Sequence, residues 1–312
     1  MTRVKDSQRA MEGLRAPAIL LLREAARLLR QAGIEGPEKE AETIIKEGIG
    51  LSVLALYRDN PSLTEDEGTA LREIVRRRAK REPLQYILGH VEFSELTLKV
   101  GPGVLIPRPE TETLVEEALK KLKGLQSETK RPVAALDLCT GCGAVALAIG
   151  ATAPGVTVYG VDISDEALRF AEENKKSLSW GLVAPRRGPC PLENVVFLKG
   201  NLFEPVREMK FDIIVSNPPY IKKSVIDTLQ PEVRDWEPRE ALDGGADGLD
   251  FIRAILKDAP AHLKPGGYVI LEIADGQKDE VMKIAGASGL KTEGVARDYA
   301  GVERVVVFEQ GD

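Results

Sequence analysis

One segment constrains the fold of this chain more than any other: Phe211-Asp212-Ile213-Ile214-Val215-Ser216, followed at once by Asn217-Pro218-Pro219-Tyr220. A short apolar run bounded by polar residues is the pattern of a strand buried on both faces, as in the middle of a parallel sheet. Two prolines in succession permit neither a helix nor further ladder pairing, so the chain must leave the sheet at the strand's carboxyl end. Open α/β sheets bind their ligands along that edge. A plain proline turn ending a strand is the bland alternative. The position at the ligand edge, with a candidate cofactor loop upstream, favours a functional turn.

The four residues after the strand have a definite chemistry. Asn217 offers a side-chain carbonyl, and the prolines leave backbone carbonyls unpaired. Tyr220 offers a flat aromatic face. None of the four is a strong nucleophile, acid or metal ligand. Together they suit a planar NH₂ group, with two acceptors for its two hydrogens and a ring against its plane. Such a nitrogen is a poor nucleophile because its lone pair is delocalised. Holding both N–H bonds and aiming the lone pair at an electrophile is catalysis by positioning.

Upstream, Val133-Ala134-Ala135-Leu136-Asp137 reads as a short strand, Cys139-Thr140-Gly141-Cys142-Gly143 as a glycine-containing turn, and Ala144–Ile149 as the helix it opens. The next strand, Val156–Val161, ends at Asp162, where a carboxylate can accept from both hydroxyls of a ribose. Gly141-x-Gly143-x-x-Ala146 also satisfies the relaxed dinucleotide fingerprint, which keeps nicotinamide and flavin enzymes under consideration. Two features oppose them. No hydride-transfer partner is evident, and Asp137 would repel a pyrophosphate. A carboxylate there suits a ligand carrying an ammonium and a sulfonium, such as S-adenosylmethionine.

Taken together, these residues resemble the class I S-adenosylmethionine-dependent methyltransferases that modify planar nitrogen. More narrowly, the chain resembles the protein-(glutamine-N5) methyltransferases that act on peptide chain release factors, from about Ala18 to the C-terminus. Three further stretches carry the resemblance: Glu82-Pro83-Leu84-Gln85-Tyr86-Ile87-Leu88-Gly89, Gly103-Val104-Leu105-Ile106-Pro107-Arg108-Pro109-Glu110-Thr111-Glu112, and Trp236–Leu242 with Gly244, Gly245, Asp247, Gly248 and Leu249 after it. Adenine methyltransferases share the four-residue motif; the ordered set is far more specific.

The resemblance implies an α/β fold: a doubly wound, mostly parallel seven-stranded Rossmann-like sheet whose last strand is antiparallel. It implies methyl transfer from S-adenosylmethionine, with S-adenosylhomocysteine as product and no metal, to the glutamine of the Gly-Gly-Gln tip of class 1 release factors. Catalysis would fall to Asn217, Pro218, Pro219 and Tyr220, with Asn217 and the Pro218 carbonyl holding the amide. Cofactor contacts would come from Asp137, Cys139, Thr140, Gly141, Cys142, Gly143, Asp162, Ile163, Asn201 and Leu202, with Asn217 contributing. Leu105, Pro107, Arg108 and Glu110 would wall the substrate pocket. Two positions depart from the family pattern. Cys139 stands where glycine is usual, implying altered backbone geometry or strain. Asn201 stands where an aspartate is common beside the adenine, and its carbonyl still accepts from the amino group. Two other functions fit the same turn: an N6-adenine or N2-guanine methyltransferase on nucleic acid, and a non-catalytic nucleoside-binding module. The retained Asn217 and Tyr220 oppose the second.

Charge opposes the first. Residues 1–90 carry 16 Lys/Arg and 14 Asp/Glu, while the remainder carries 27 and 35, a net −8 on the catalytic part. Nucleic-acid enzymes usually present a basic surface, so no direct nucleic-acid substrate is expected. The one basic run, Arg76-Arg77-Arg78-Ala79-Lys80-Arg81, reads as a solvated helix end with cations at the negative dipole pole. Ile19-Leu20-Leu21-Leu22 is interrupted by Arg23 and Glu24, so neither a signal peptide nor a membrane span is expected, and the expected location is cytoplasmic. Three cysteines exclude a disulfide framework. Cys139 and Cys142 have the Cys-x-x-Cys spacing, but Cys190, His90 and His262 are distant, so small loop residues are a better reading than zinc or redox use.

The periodicity divides the chain into a helical bundle over 1–90 expected to dock substrate, a β-hairpin linker over 91–112, and a methyltransferase domain over 113–312. Helices are expected over Pro17–Gly33 (Leu20, Leu21, Ala25, Leu28, Leu29), over Glu38–Glu47 (Ala41, Ile44, Ile45 inward), and from the Thr64–Glu67 capping box to about Arg81. Alternation predicts a hairpin from Val91 to Ile106, broken at Gly101-Pro102-Gly103. Further strands are expected at Val195–Leu198, Tyr268–Ile273 and Arg304–Phe308, and a helix at Leu249–Leu263. The Pro/Gly-rich stretch Trp180–Asn194 reads as a surface loop.

Overall fold

The computed structural model describes residues 16–129, 131–179 and 192–311. Residues 180–191 of the expected surface loop, Cys190 among them, lie outside the described residues. The chain divides into two compact units between Leu88 and Gly89.

In the first unit, α1 (Ala18–Gln31) buries Ala18, Leu21, Leu22, Ala25, Ala26 and Leu29. Leu20 and Leu28, expected in that stripe, are exposed at 55% and 36%, because they fall beside the 18-21-22-25-29 row rather than on it. Next, α2 (Pro37–Thr43) runs into a π-turn over Ile44–Gly48, and Ala41, Ile44 and Ile45 are fully buried. The Ser52 hydroxyl caps α3 (Val53–Asp59), accepting from Ala55 N at 3.2 Å. The Thr64–Glu67 capping box opens α4 (Glu65–Arg78), a device stabilising by about 1 kcal/mol. A short α5 (Leu84–Leu88) follows. The basic run at the end of α4 is not simply solvated: Arg77 pairs with buried Glu82, and Arg78, itself buried, pairs with Glu40. Arg78 lies at i+7 from Leu71 and i+3 from Val75, so it continues the buried face of α4.

The second unit begins with a hairpin of β1 (His90–Phe93) and β2 (Leu96–Lys99). Ser94 and Glu95 form its two-residue turn with φ of 46° and 65°, the sign pattern of a type I′ turn. The hairpin is shorter than the expected Val91–Ile106. Pairing ends at Lys99 because the next segment packs elsewhere: a Cβ on Gly101 would come within 2.9 Å of Phe170, and one on Gly103 within 2.7 Å of Glu166.

After α6 (Glu112–Glu128), strands and helices alternate: β3 (Val133–Leu138), α7 (Ala144–Thr152), β4 (Val156–Asp162), α8 (Asp165–Ser179), β5 (Val195–Lys199) and β6 (Phe211–Ser216). Beyond a long loop come α9 (Asp250–His262), β7 (Leu263–Glu272), α10 (Lys278–Ala287), β8 (Leu290–Arg297) and β9 (Glu303–Gln310). The seven-stranded sheet has the order β5-β4-β3-β6-β7-β9-β8. Neighbours from β5 to β7 are parallel, and β9 is antiparallel to both β7 and β8. This is the expected doubly wound sheet, with the antiparallel last strand in place. Register aligns Leu138 with Val161 and Ser216, and Asp162 with Lys199. The carboxyl ends of four adjacent strands therefore share one edge, and every loop discussed below leaves from it.

Candidate active site at the carboxyl edge

All six residues of β6 are buried. At its end the Ser216 hydroxyl donates to the Leu138 carbonyl at 2.7 Å, tying β6 to β3 where both loops begin. Asn217 is half-buried, and its Nδ2 donates to Thr111 Oγ1 at 3.0 Å. Its carbonyl oxygen is left without a partner among the described residues. So is the Pro218 carbonyl. Pro218 and Pro219 are buried. The Tyr220 hydroxyl donates to Glu272 Oε1 at 3.0 Å, and burial with the adjacent carboxylate pushes the phenol pKa up.

The long loop after the turn is sewn onto it. Ile221 N donates to the Leu242 carbonyl, Gly244 N to the Ile221 carbonyl, and Lys223 N to the Gly245 carbonyl. Gln277 Nε2 donates to the carbonyls of Tyr220 (3.1 Å) and Gly248 (3.2 Å). The glycines of this loop have a steric reason. A Cβ at Gly244 would lie 2.8 Å from the Pro219 carbonyl oxygen, and one at Gly248 only 2.4 Å from that of Tyr220.

In the loop after β3, Cys139, Gly141 and Gly143 have φ of 59°, 57° and 83°. Cys139 therefore adopts the left-handed backbone natural to glycine, which costs an L-residue about 1–2 kcal/mol. Asp137, 1% exposed, organises the turn from inside: its Oδ2 accepts from the Thr140 hydroxyl at 2.5 Å and from Ala146 N at 3.2 Å. Burial pushes its carboxyl up to about 7, against the pull of those two bonds, and the nearby Asp162 charge adds to the rise. Asp162 itself is raised by burial; Oδ2 accepts from Gly141 N at 2.8 Å and Oδ1 from Ser164 N at 2.9 Å. Each carboxylate oxygen has two lone pairs, so Asp162 keeps acceptor capacity for a ribose. Beside it Ile163 is 63% exposed, an apolar side chain next to the Asp162 carboxylate. Gly143 is needed for packing, since its Cβ would fall 2.8 Å from the Phe197 ring.

Burial raises both loop thiols, that of Cys142 to about 12, so both are protonated at neutral pH and poor nucleophiles or ligands. Among the described residues no cluster of His, Cys, Asp or Glu is placed to hold a metal ion. Asn201 is exposed; its N–H donates to Glu204 Oε2 at 3.3 Å, and Leu202 follows with φ 49°.

Of the expected pocket wall, Leu105 and Pro107 are half-buried and Glu110 is exposed. Arg108 is not a free pocket cation: its Nη2 pairs with Glu237 Oε1 at 2.5 Å, and the Glu237 side chain is only 1% exposed. That pair ties the segment before α6 to the long loop after β6. Sequence reasoning missed the supporting residues Thr111, Glu237, Glu272 and Gln277. Thr111 and Glu237 sit inside stretches singled out above. Glu272 had a signal, a lone carboxylate within the apolar strand Tyr268–Ile273.

Comparison with known proteins gives the family. A family model described as "PrmC N-terminal domain" matches residues 21–89, and one described as "Methyltransferase small domain" matches residues 117–231. A release factor glutamine methyltransferase of Thermodesulfovibrio yellowstonii is 42% identical over 87% of this chain and 92% of its own length. The chain belongs to the release factor glutamine methyltransferase family. Another member, from Geobacter sulfurreducens, is 42% identical over 89% of this chain and 91% of its own. A solved structure described as a release factor-specific protein-(glutamine-N5) methyltransferase, from Alicyclobacillus acidocaldarius, is 29% identical. It covers 69% of this chain and 99% of its own, with a TM-score of 0.39.

Proposed function

We infer that this enzyme transfers a methyl group from S-adenosylmethionine to the side-chain amide nitrogen of the glutamine in the Gly-Gly-Gln motif of class 1 peptide chain release factors. The observation that carries the reading is that the carbonyls of two consecutive residues, Asn217 and Pro218, are unpartnered among the described residues at the end of β6, one strand from the loop after β3. They accept the two N–H bonds of the glutamine amide, and the Tyr220 ring packs on its plane. Held so, the amide nitrogen turns its lone pair out of the hydrogen-bonding plane.

Several features of this sheet edge support the cofactor reading. Asp162 keeps lone pairs for the ribose hydroxyls, Ile163 offers apolar surface for the adenosine, and Asn201 and Leu202 border it. The 139–143 turn faces the methionine end, where glycines allow close backbone approach, and buried Asp137 holds that turn from inside. When bound, S-adenosylmethionine supplies an electrophilic methyl group on a sulfonium. A C–N bond forms as the C–S bond breaks, and the nitrogen then loses a proton to water, so no metal or strong base is required.

The first unit is suited to docking the protein substrate. Four of its large apolar side chains, Leu20, Leu28, Leu54 and Tyr57, are exposed, Leu54 at 69%. One glutamine offers few contacts, whereas stable protein recognition buries on the order of 1,200–2,000 Å². The test is mass spectrometry of a purified release factor incubated with the enzyme and S-adenosylmethionine. The expected result is one added CH₂ on the Gly-Gly-Gln glutamine alone. Methyl incorporation into nucleic acid and none into the release factor would overturn it.

A further inference from the structure

Three stretches of chain meet at one buried side chain. Gln277, 8% exposed, stands at the start of α10. Its Oε1 accepts from Ala274 N at 2.9 Å, and its Nε2 donates to the carbonyls of Tyr220 at 3.1 Å and Gly248 at 3.2 Å. All three partners are backbone groups of fixed polarity: an N–H only donates and a carbonyl only accepts. The two ends of a glutamine amide are nearly equal in shape, yet only one orientation satisfies these contacts, and it uses both Nε2 hydrogens. Position 248 is shaped around the amide. A Cβ there would lie 2.4 Å from the Tyr220 carbonyl oxygen and 2.9 Å from Gln277 Nε2, so a side chain would part the two.

What this does for the acceptor turn follows from its prolines. Pro218 and Pro219 have no N–H by which to be held, so the place of the Pro218 carbonyl depends on anchors at the ends of the turn. At the entry, the Ser216 hydroxyl is bound to the Leu138 carbonyl of β3. At the exit, Ile221 N bonds the Leu242 carbonyl and Gly244 N the Ile221 carbonyl. Those two bonds run to the long loop, so they join turn and loop without tying either to a helix or strand. Gln277 ties both to the start of α10, whose Val281 and Ala285 are fully buried in the core beside β7. Tyr220 is then held at two points: its carbonyl by Gln277 and its hydroxyl by Glu272 Oε1 at 3.0 Å. The ring between those points has a fixed place.

We propose that Gln277 is a positioning residue for methyl transfer, fixing the Pro218 carbonyl and the Tyr220 ring through its bond to the Tyr220 carbonyl; this rests on the clamp reading above. The test is steady-state kinetics of the full chain with S-adenosylmethionine and a purified release factor, with calorimetry of S-adenosylmethionine binding to count folded sites. Gln277→Glu keeps the shape and the bond from Ala274 N but loses the fixed pair of donors. Gln277→Met keeps the length and loses all three bonds. Each lowers kcat by about tenfold or more, as a small misplacement of the reacting nitrogen does. KM for the release factor and Kd for S-adenosylmethionine stay within about twofold of wild type, and the binding stoichiometry is unchanged. A role confined to capping α10 through Ala274 would instead leave Gln277→Glu at the wild-type kcat, and that result overturns the proposal. So does a folded Gln277→Met at the wild-type kcat, a change confined to KM, or a fall in binding stoichiometry that accounts for the whole loss. Should Gln277→Glu not fold, Gln277→Met decides alone. Asn217→Ala, measured alongside, separates the two readings. If it is inactive while Gln277→Met turns over normally, only the positioning role is wrong. If it turns over at the wild-type rate, the clamp is wrong and the positioning role falls with it.

Discussion

Asp137 should make the folded enzyme less stable as pH rises, the reverse of the usual behaviour of a carboxylate in acid. Burial lifts its folded-state pKa from 3.8 to about 7, so over that interval the unfolded chain binds fewer protons than the folded one. The contribution is fully present below the unfolded value and is lost as pH climbs through the folded one. At about 1.36 kcal/mol per pKa unit, the separation is worth about 4 kcal/mol, and the part expressed between pH 5 and pH 8 is roughly 2.5 kcal/mol. The informative comparison is wild type against Asp137→Asn, whose side-chain carbonyl still accepts from the Thr140 hydroxyl and Ala146 N while carrying no charge. The other carboxylates raised by burial, Asp162, Glu237 and Glu272, are present in both proteins and cancel in the difference. Trp236 lies in the larger unit, so fluorescence-detected urea unfolding reports on the right part of the chain. Wild type should lose roughly 2.5 kcal/mol relative to Asp137→Asn from pH 5 to pH 8. Stability curves that run parallel over this range would refute the buried, proton-binding state of Asp137.

Three further outcomes are expected. Asp162→Ala should weaken S-adenosylmethionine binding by about 1.5–3 kcal/mol, the loss for hydrogen bonds to a charged acceptor; unchanged affinity in calorimetry would place the ribose elsewhere. Gly248→Ala sets a Cβ 2.4 Å from the Tyr220 carbonyl oxygen at a φ of 81°, so thermal unfolding should show a loss of about 1–3 kcal/mol, with kcat falling as the acceptor turn shifts. A variant as stable and active as wild type would show that the loop yields without moving Tyr220. Leu54→Ser/Tyr57→Ser, at exposed positions of α3, should raise KM for the intact release factor several-fold while leaving S-adenosylmethionine affinity unchanged. An unaltered KM would remove α3 from the docking surface.

The fold was legible where burial is two-sided. Ile213, Ile214 and Val215 have no solvent face, so their run could only be an interior strand, and β3, β4 and β6 followed from the same signal. It was illegible where burial is one-sided and thin. In β8, exposed Lys291 and Glu293 alternate with half-buried Thr292 and Gly294, which leaves no apolar run to recognise. In α3, Leu54 and Tyr57 face solvent while Leu56 is buried, so the apolar residues do not mark the inward face. Arg78 shows the converse: its charge argued for solvent, but its place in the period of α4 put it inside with Glu40 as its partner.

The site divides along a different line. Residues expected to meet ligand sit on strand ends and in tight turns, where sequence and geometry are coupled over four or five positions, so the stretches Asn217–Tyr220 and Cys139–Gly143 stand out in the sequence. Residues that hold them come from elsewhere in the chain: Thr111 from the segment before α6, Glu237 from the long loop, Glu272 from the next strand and Gln277 from the start of α10. No spacing rule links position 111 to 217 or 272 to 220, since these contacts exist only once the chain has folded. What the sequence does carry for such residues is chemical incongruity. A carboxylate closing an apolar strand must find a partner or be costly to bury, and here the partner it finds is Tyr220, in the turn after β6. A buried polar residue that ends a central strand is thus a pointer to whatever lies beyond that strand end, even when it touches no ligand itself.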